Sequence, residues 1–396
     1  YVFSSVAGYM GSQIKYSLNR ANTGPFYCPK YSFSTKQIWL NFLNSMPIYQ
    51  KCWYHHIRRL YSPITRRTYN AKGVTSWVSG FGRTESVEYI SPFPQHLRLS
   101  NYEFFAKMNQ FMFTLELASY FIKIVKTLEG HGYVRDINIR GAPYDWRMAP
   151  HEQEEFFVRL KFLVEESYFL NGYKRIIFFT HSMGGNFAYI FLRRQSLSWK
   201  TKFIKAIFFA ATPWGGNFKY MYDYLYSDDF AGNLLPVFRK AERSFSSLAF
   251  LLPNRRVFGE SVFIQTPTEN FTASDFGRFF AILNHVDAFN MWIDTRDLLD
   301  PLIHPEVDVY CIGGSGEATL RALICKDDLF TKKRVIYANG DGFVNMESLL
   351  GCVRWAPHPN YRFFFDVIRD SHLGMLRNQH SVDYFVRLIL AVNVNN

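Results

Sequence analysis

The chain has 396 residues, 48% of them hydrophobic and 18% aromatic, with 24 glycines and 16 prolines; this excludes a disordered, collagen-like or low-complexity protein and supports a sizeable core. Lysine and arginine number 45 against 33 acidic residues, a formal charge of +12, and the 11 histidines add to it as pH falls. Such a surface favours anionic partners, and without zinc-finger spacing or an aromatic-basic RNA-binding signature the expected partner is anionic lipid rather than nucleic acid.

In chain order, residues 1–6 read as a strand with no charged stretch leading into an apolar one, so any secretion signal is expected to have been removed from this chain. Residues 25–75 hold Cys28 and Cys52 in a stretch rich in Trp, Tyr and Phe, and read as an insertion. Within it Trp39, Phe42, Leu43 and Met46 recur at helical spacing, with Asn41, Asn44 and Ser45 between them and Trp53 further on. That stripe fits either a core face or an interfacial patch. His55 and His56 are adjacent and point in divergent directions, which does not suit a metal pair. Asp145 and Arg147 read as a buried ion pair with aromatic packing around it.

Helical patterns cover 102–129, 151–169, 184–194 and 382–390, and strand patterns cover 175–180, 205–211, 307–312, 334–337 and 361–368. The alternation predicts an α/β fold, and the near-continuous apolar strands predict a central sheet covered on both faces. A polar, aromatic and irregular segment at 217–300 interrupts it after Pro213-Trp214-Gly215-Gly216 and reads as a cap, with a lid near 217–245. Asn270 begins an Asn-Phe-Thr glycosylation sequon inside that segment. Uninterrupted apolar runs such as 207–211 and 363–365 fall far below the roughly 18–20 residues of a membrane-spanning helix, so none is expected.

The five cysteines form no Cys-x-x-Cys pair, and the odd count leaves at least one unbonded. Neither His-Glu-x-x-His nor an Asp-x-Asp-x-Asp-Gly loop is present, so no metal or other cofactor is expected.

The strongest local signal is Thr180-His181-Ser182-Met183-Gly184-Gly185, between an apolar strand and a helix. A serine on that sharp turn exposes its hydroxyl as a nucleophile, although Thr180 stands where the general pattern has glycine. The other reading is a helix-capping serine. A serine nucleophile needs a base and an orienting carboxylate, which follow downstream in the order acid, then histidine. Asp341, between two glycines after the 334–337 strand, fits the acid, or else a turn-stabilising aspartate. His372 directly follows the 361–368 strand; His358 and His380 compete but follow no strand end. The oxyanion formed on attack needs two backbone N–H donors: Met183 supplies one, and the glycine-containing loop 6–11 is chosen for the second.

These residues resemble the lecithin:cholesterol acyltransferase and lysosomal phospholipase A2 (group XV) family, and its lysosomal branch more closely. The segments that carry the resemblance run through the chain in the family's order: 8–13, 38–41, Cys52-Trp53, 80–82, 140–147, 181–184, 213–216, 265–268, 340–342 and His372. The resemblance implies an α/β-hydrolase core over 1–24, 76–216 and 301–396, a membrane-binding subdomain at 25–75 and a cap with a lid at 217–300. It implies a Ser182–Asp341–His372 triad, oxyanion donors at Tyr9 and Met183, and disulfides pairing Cys28 with Cys52 and Cys311 with Cys352. Trp39, Leu40, Phe42, Leu43, Met46 and Trp53 become the expected membrane-binding residues. Two positions depart from the lysosomal branch: Tyr9, usually acidic there, and Phe343, usually a small Thr.

The implied activity is that of a membrane-docking serine phospholipase A and acyltransferase, independent of calcium. It forms an acyl-enzyme from a glycerophospholipid and passes the acyl group to water or a lipid alcohol, in a secreted or lysosomal luminal setting. The alternatives are a sterol acyltransferase acting on lipoproteins and a non-catalytic lipid-binding or transfer protein on the same fold.

Overall fold

The computed structural model describes residues 1–21, 24–39, 47–91, 118–225, 236–331 and 333–394. Its centre is a six-stranded sheet in the order Phe363–Arg369, Asp308–Ser315, Ile204–Ala210, Ile176–His181, Val2–Val6, Ile139–Gly141. All neighbouring strands in it are parallel. In Ile176–His181 every residue is buried. Successive side chains point to opposite faces of a strand: Ile176 and Phe178 join a layer with Phe157, Leu160 and Phe187, whereas Ile177 and Phe179 join Phe121, Ile124 and Phe385. The first layer is built from helices Glu154–Leu170 and Met183–Arg193, the second from Ile122–Glu129 and Gln379–Val394. Two covered faces account for the unbroken apolar runs.

One predicted strand sits elsewhere. Lys333–Gly340 pairs antiparallel with Glu317–Cys325 in a separate four-stranded sheet, joined by Ile264–Gln265 and Asn270–Phe271. That sheet links the expected cap to residues expected in the core, so the boundary at 300 does not separate two packing units. Likewise, Ile14–Leu18 pairs with both Lys36–Trp39 and Val74–Val78, across the expected limits of the 25–75 insertion. The 217–300 segment is also more regular than expected; its described part contains six short helices, Phe218–Leu225 through Val286–Thr295. Of the predicted 102–129 helix, residues 102–117 lie outside the described residues, and the rest forms Ile122–Glu129.

Two disulfides close the structure, Cys28–Cys52 and Cys311–Cys352, and Cys325 is a buried thiol. Arg147 is fully buried, pairs with Asp145 at 2.6 Å, and donates to the Ile57 carbonyl and the Ser76 hydroxyl. It thereby anchors the 47–78 region to the core, and the Arg59 guanidinium adds to the positive field that holds the Asp145 carboxyl below its usual range against burial.

The aromatic stripe is corrected at two of its members. Trp39 and Trp53 are buried, with their indole N–H groups donating to the carbonyls of Met10 and Ile38 and their rings stacking on Phe238 at 5.0 and 5.6 Å. Each has already satisfied the polar and apolar ends that an interfacial tryptophan offers to a headgroup region. Leu40, Phe42, Leu43 and Met46 lie outside the described residues. Among the described residues no helix is long and apolar enough to cross a membrane.

Candidate active site

In a parallel sheet the carboxyl ends of the strands form the edge at which ligands collect. Register sets that edge here: Val6 lies beside Thr180, His181 beside Ala210, Ala210 beside Ile312, and Ile312 beside Asp366. The loops that follow these strands carry Tyr9, Ser182 and His372, whereas Asp341 follows a strand of the separate sheet.

Ser182 sits between strand Ile176–His181 and helix Met183–Arg193 at φ 57° and ψ −134°. A non-glycine residue in such a conformation costs on the order of 1–3 kcal/mol and persists only where its surroundings enforce it. Enforcement comes from the Ser182 N–H, which donates to the Ala210 carbonyl at 2.9 Å. It also comes from Gly184, where a Cβ would stand 2.4 Å from the carbonyl oxygens of Val6 and Ala7. The turn therefore closes against the first strand only without a side chain at 184. Met183 opens the helix, so its N–H belongs to the first turn, which lacks intrahelical acceptors and favours negative charge.

Asp341 and His372 come together. Asp341 follows Lys333–Gly340 and is buried; its Oδ2 lies 2.7 Å from His372 Nδ1, and its Oδ1 accepts the N–H groups of Phe343 and Val344. The His372 N–H donates to the Asp341 carbonyl at 2.7 Å, so backbone and side chain hold the imidazole together. The Phe343 ring lies against the imidazole with centroids 5.1 Å apart. The His372 ring is also 4.7 Å from that of His181, the residue before Ser182. His358 instead stacks on His304 and Tyr361, and His380 is exposed with its Nε2 3.3 Å from Asp370.

The 8–11 turn adjoins the serine, since a Cβ on Gly8 would fall 2.7 Å from Ser182 Cβ. Tyr9 follows directly. Its ring packs edge-on against Trp146 and Tyr220, and its hydroxyl donates to Glu242 Oε1 at 3.0 Å. Burial, then the neighbouring Asp223 carboxylate, pushes the Glu242 carboxyl up to about 8, against the pull of Lys219, Tyr9 and Arg239. Asn270 is exposed. Among the described residues no group of three or more His, Cys, Asp and Glu side chains is arranged to hold a metal.

Three contributors escaped sequence reasoning: Glu242, Tyr120 and His181. Glu242 is 233 positions from Tyr9, and Tyr120 is 61 from His181. No local pattern signals either pairing; only the presence of His181 inside the elbow motif was visible.

Comparison with known proteins adds the following. The lecithin:cholesterol acyltransferase family profile matches residues 33–302. The lysosomal phospholipase A and acyltransferase of Rattus norvegicus is 33% identical over 392 residues, spanning 97% of this chain and 89% of its own length. The phosphatidylcholine-sterol acyltransferase of Gallus gallus is 33% identical over 381 residues, spanning 94% and 86%. Among solved structures, the Tle4-Tli4 complex contains a chain that superposes with a TM-score of 0.56 at 10% identity, covering 99% of this chain and 98% of that one.

Proposed function

The chain belongs to the lecithin:cholesterol acyltransferase family, and from that premise we propose that it is a phospholipase A and acyltransferase whose nucleophile is Ser182. One observation carries the assignment above the others: a carboxylate–imidazole pair 2.7 Å apart, its imidazole 4.7 Å from the ring of the residue preceding a serine held at positive φ. His372 accepts the Ser182 proton as Oγ attacks the ester carbonyl. Asp341 holds the imidazole with its Nδ1 proton toward the carboxylate and stabilises the imidazolium that forms. The Met183 and Tyr9 N–H groups receive the oxyanion. As the tetrahedral adduct collapses, the acyl–oxygen bond to glycerol breaks and His372 gives its proton to the departing lysolipid.

Water or a lipid alcohol then attacks the acyl-serine. His372 takes that proton, the new acid or ester leaves, and the proton returns to Ser182. This cycle uses no metal ion, and turnover is expected to persist in EDTA.

A phospholipid surface is the proposed partner. The support is an exposed aromatic loop rather than the buried tryptophans: Phe26, Tyr27, Tyr31 and Phe33 are all exposed, beside exposed Lys30 and Lys36. Aromatic side chains insert at the headgroup boundary, and each nearby cation adds about 1 kcal/mol on anionic lipid. The two disulfides suit the oxidising route to a secreted or lysosomal lumen.

The test is product analysis by mass spectrometry on phospholipid vesicles containing a sterol and ceramide. Free fatty acid or acylated alcohol should form with the native chain, with or without EDTA, and neither should form with Ser182→Ala. Product formation by Ser182→Ala would refute the nucleophile, and loss of turnover in EDTA restored by calcium would refute metal independence.

A further inference from the structure

The elbow histidine and a tyrosine far from it in sequence form a hydrogen-bond chain with a single possible polarity. His181 Nε2 lies 2.9 Å from the His372 carbonyl oxygen, which can only accept, so Nε2 carries the proton. On neutral His181, Nδ1 is therefore an acceptor, and it lies 2.6 Å from the Tyr120 hydroxyl, which donates to it. With its one proton committed, the Tyr120 oxygen accepts the Gly8 N–H at 2.9 Å. The order is thus Gly8 N–H to Tyr120, Tyr120 O–H to His181, and His181 N–H to the His372 carbonyl.

Every member is buried, and the fit is close enough to restrict neighbouring sequence. A Cβ on Gly8 would stand 2.9 Å from the Tyr120 oxygen, and one on Gly11 would stand 3.0 Å from its Cζ. Burial acts first on His181, then the His372 ring and the Arg377 guanidinium; against the pull of the His372 carbonyl they hold its pKa well below the ordinary histidine range. Tyr120 is likewise held as the neutral phenol by burial, against smaller pulls from Gly8 and Arg377. Tyr120 and His181 are both neutral at neutral pH, so the chain's polarity is fixed.

We infer that Tyr120 and His181 are positioning residues for the reaction, tying the turn that presents the Tyr9 oxyanion donor to the loop that carries the His372 base. This rests on the triad reading above. The two loops come from opposite ends of the chain, and besides this hydrogen-bonded chain only ring packing through Tyr220 and Phe343 is seen to connect Tyr9 with His372 among the described residues. A misplacement of about 1 Å in such a constellation costs on the order of 100-fold in rate, so a rigid strut between them has kinetic value distinct from stability.

The test is Tyr120→Phe in the full chain, with rates expressed per serine reactive to a fluorophosphonate probe. On phosphatidylcholine vesicles, kcat and the probe's labelling rate are both expected to fall about 10- to 100-fold, with KM within about twofold. An unchanged kcat per reactive serine overturns the inference whatever happens to the melting temperature. Should the variant not fold, NMR of the native chain labelled with 15N-histidine decides, the His181 signals being assigned by their loss in His181→Gln. His181 should show Nε2 protonated and Nδ1 unprotonated at neutral pH; an Nδ1–H tautomer or an imidazolium at that pH overturns the inference. A native chain that fails to label at Ser182 refutes the triad instead, whereas normal native labelling with an unaffected Tyr120→Phe refutes only the strut.

Discussion

The floor and the roof of the site are built on opposite electrostatic plans. The floor, at the sheet edge, is a set of neutral, directional hydrogen bonds around a single ion-pair partner: Gly8, Tyr120, His181 and His372 in series, with Asp341 buried and receiving two backbone N–H groups. The roof, on helices Phe218–Leu225 and Pro236–Glu242, is a cluster of buried ionisable groups. Asp223 and Glu242 share it with Lys219 and Arg239, and Lys219 is paired with Asp223. Fixed dipoles do not respond to pH, but a carboxyl poised near neutrality does. On the proposed reading the floor carries the chemistry, and the roof carries a carboxyl whose charge responds to pH.

The largest expected break falls on the floor. Asp341→Asn should lower kcat by about 10³- to 10⁴-fold with the fold retained, because the amide favours the wrong imidazole tautomer; circular dichroism and kinetics on vesicles check this together. A loss below tenfold would mean that the pair is not part of the machinery. Next in size is the roof's packing. Trp39→Ala empties a site between Trp146 and Phe238 and should cost about 3–5 kcal/mol of stability while leaving vesicle affinity within about twofold. Weakened vesicle binding without destabilisation would restore Trp39 to the membrane surface. Phe33→Ala should do the reverse, with an unchanged melting temperature and vesicle partitioning weakened about tenfold in a flotation assay.

A pH-dependent effect sharpens the contrast itself. Burial and the Asp223 carboxylate push the Glu242 carboxyl up to about 8 from the ordinary glutamate value of 4.5. Between those values the native state keeps a proton that the unfolded chain has released, so stability falls as pH rises, by at most about 1.4 kcal/mol per unit, and levels off above about pH 8. Melting temperatures at pH 5 and pH 8 should diverge in the native chain and converge in Glu242→Gln. Equal divergence in both would remove Glu242 as the source.

The legibility of the sequence follows the same division. Ser182, Asp341 and His372 could be read because each stands at a strand's end, where glycines, apolar runs and chain order constrain the chemistry locally. Helical periodicity grouped Trp39 with residues that lie outside the described ones, whereas Trp39 ends the strand Lys36–Trp39, and no local pattern could say that Phe238, nearly 200 positions away, covers it. An apolar run likewise identified a strand at 334–337, observed as Lys333–Gly340, without specifying the sheet, which its antiparallel partner Glu317–Cys325 decides. Ile139–Gly141 is three residues long, too short for a period to register. Contacts between distant segments, such as Tyr120 with His181 or Tyr9 with Glu242, leave no mark on local composition.

The most direct measurement is peptide mapping of the native chain after reaction with a fluorophosphonate. A single adduct on the peptide containing Ser182, absent in Ser182→Ala and slowed by at least about 100-fold in His372→Ala, is the expected result. An adduct on another residue, or undiminished labelling without His372, would contradict the account at its root.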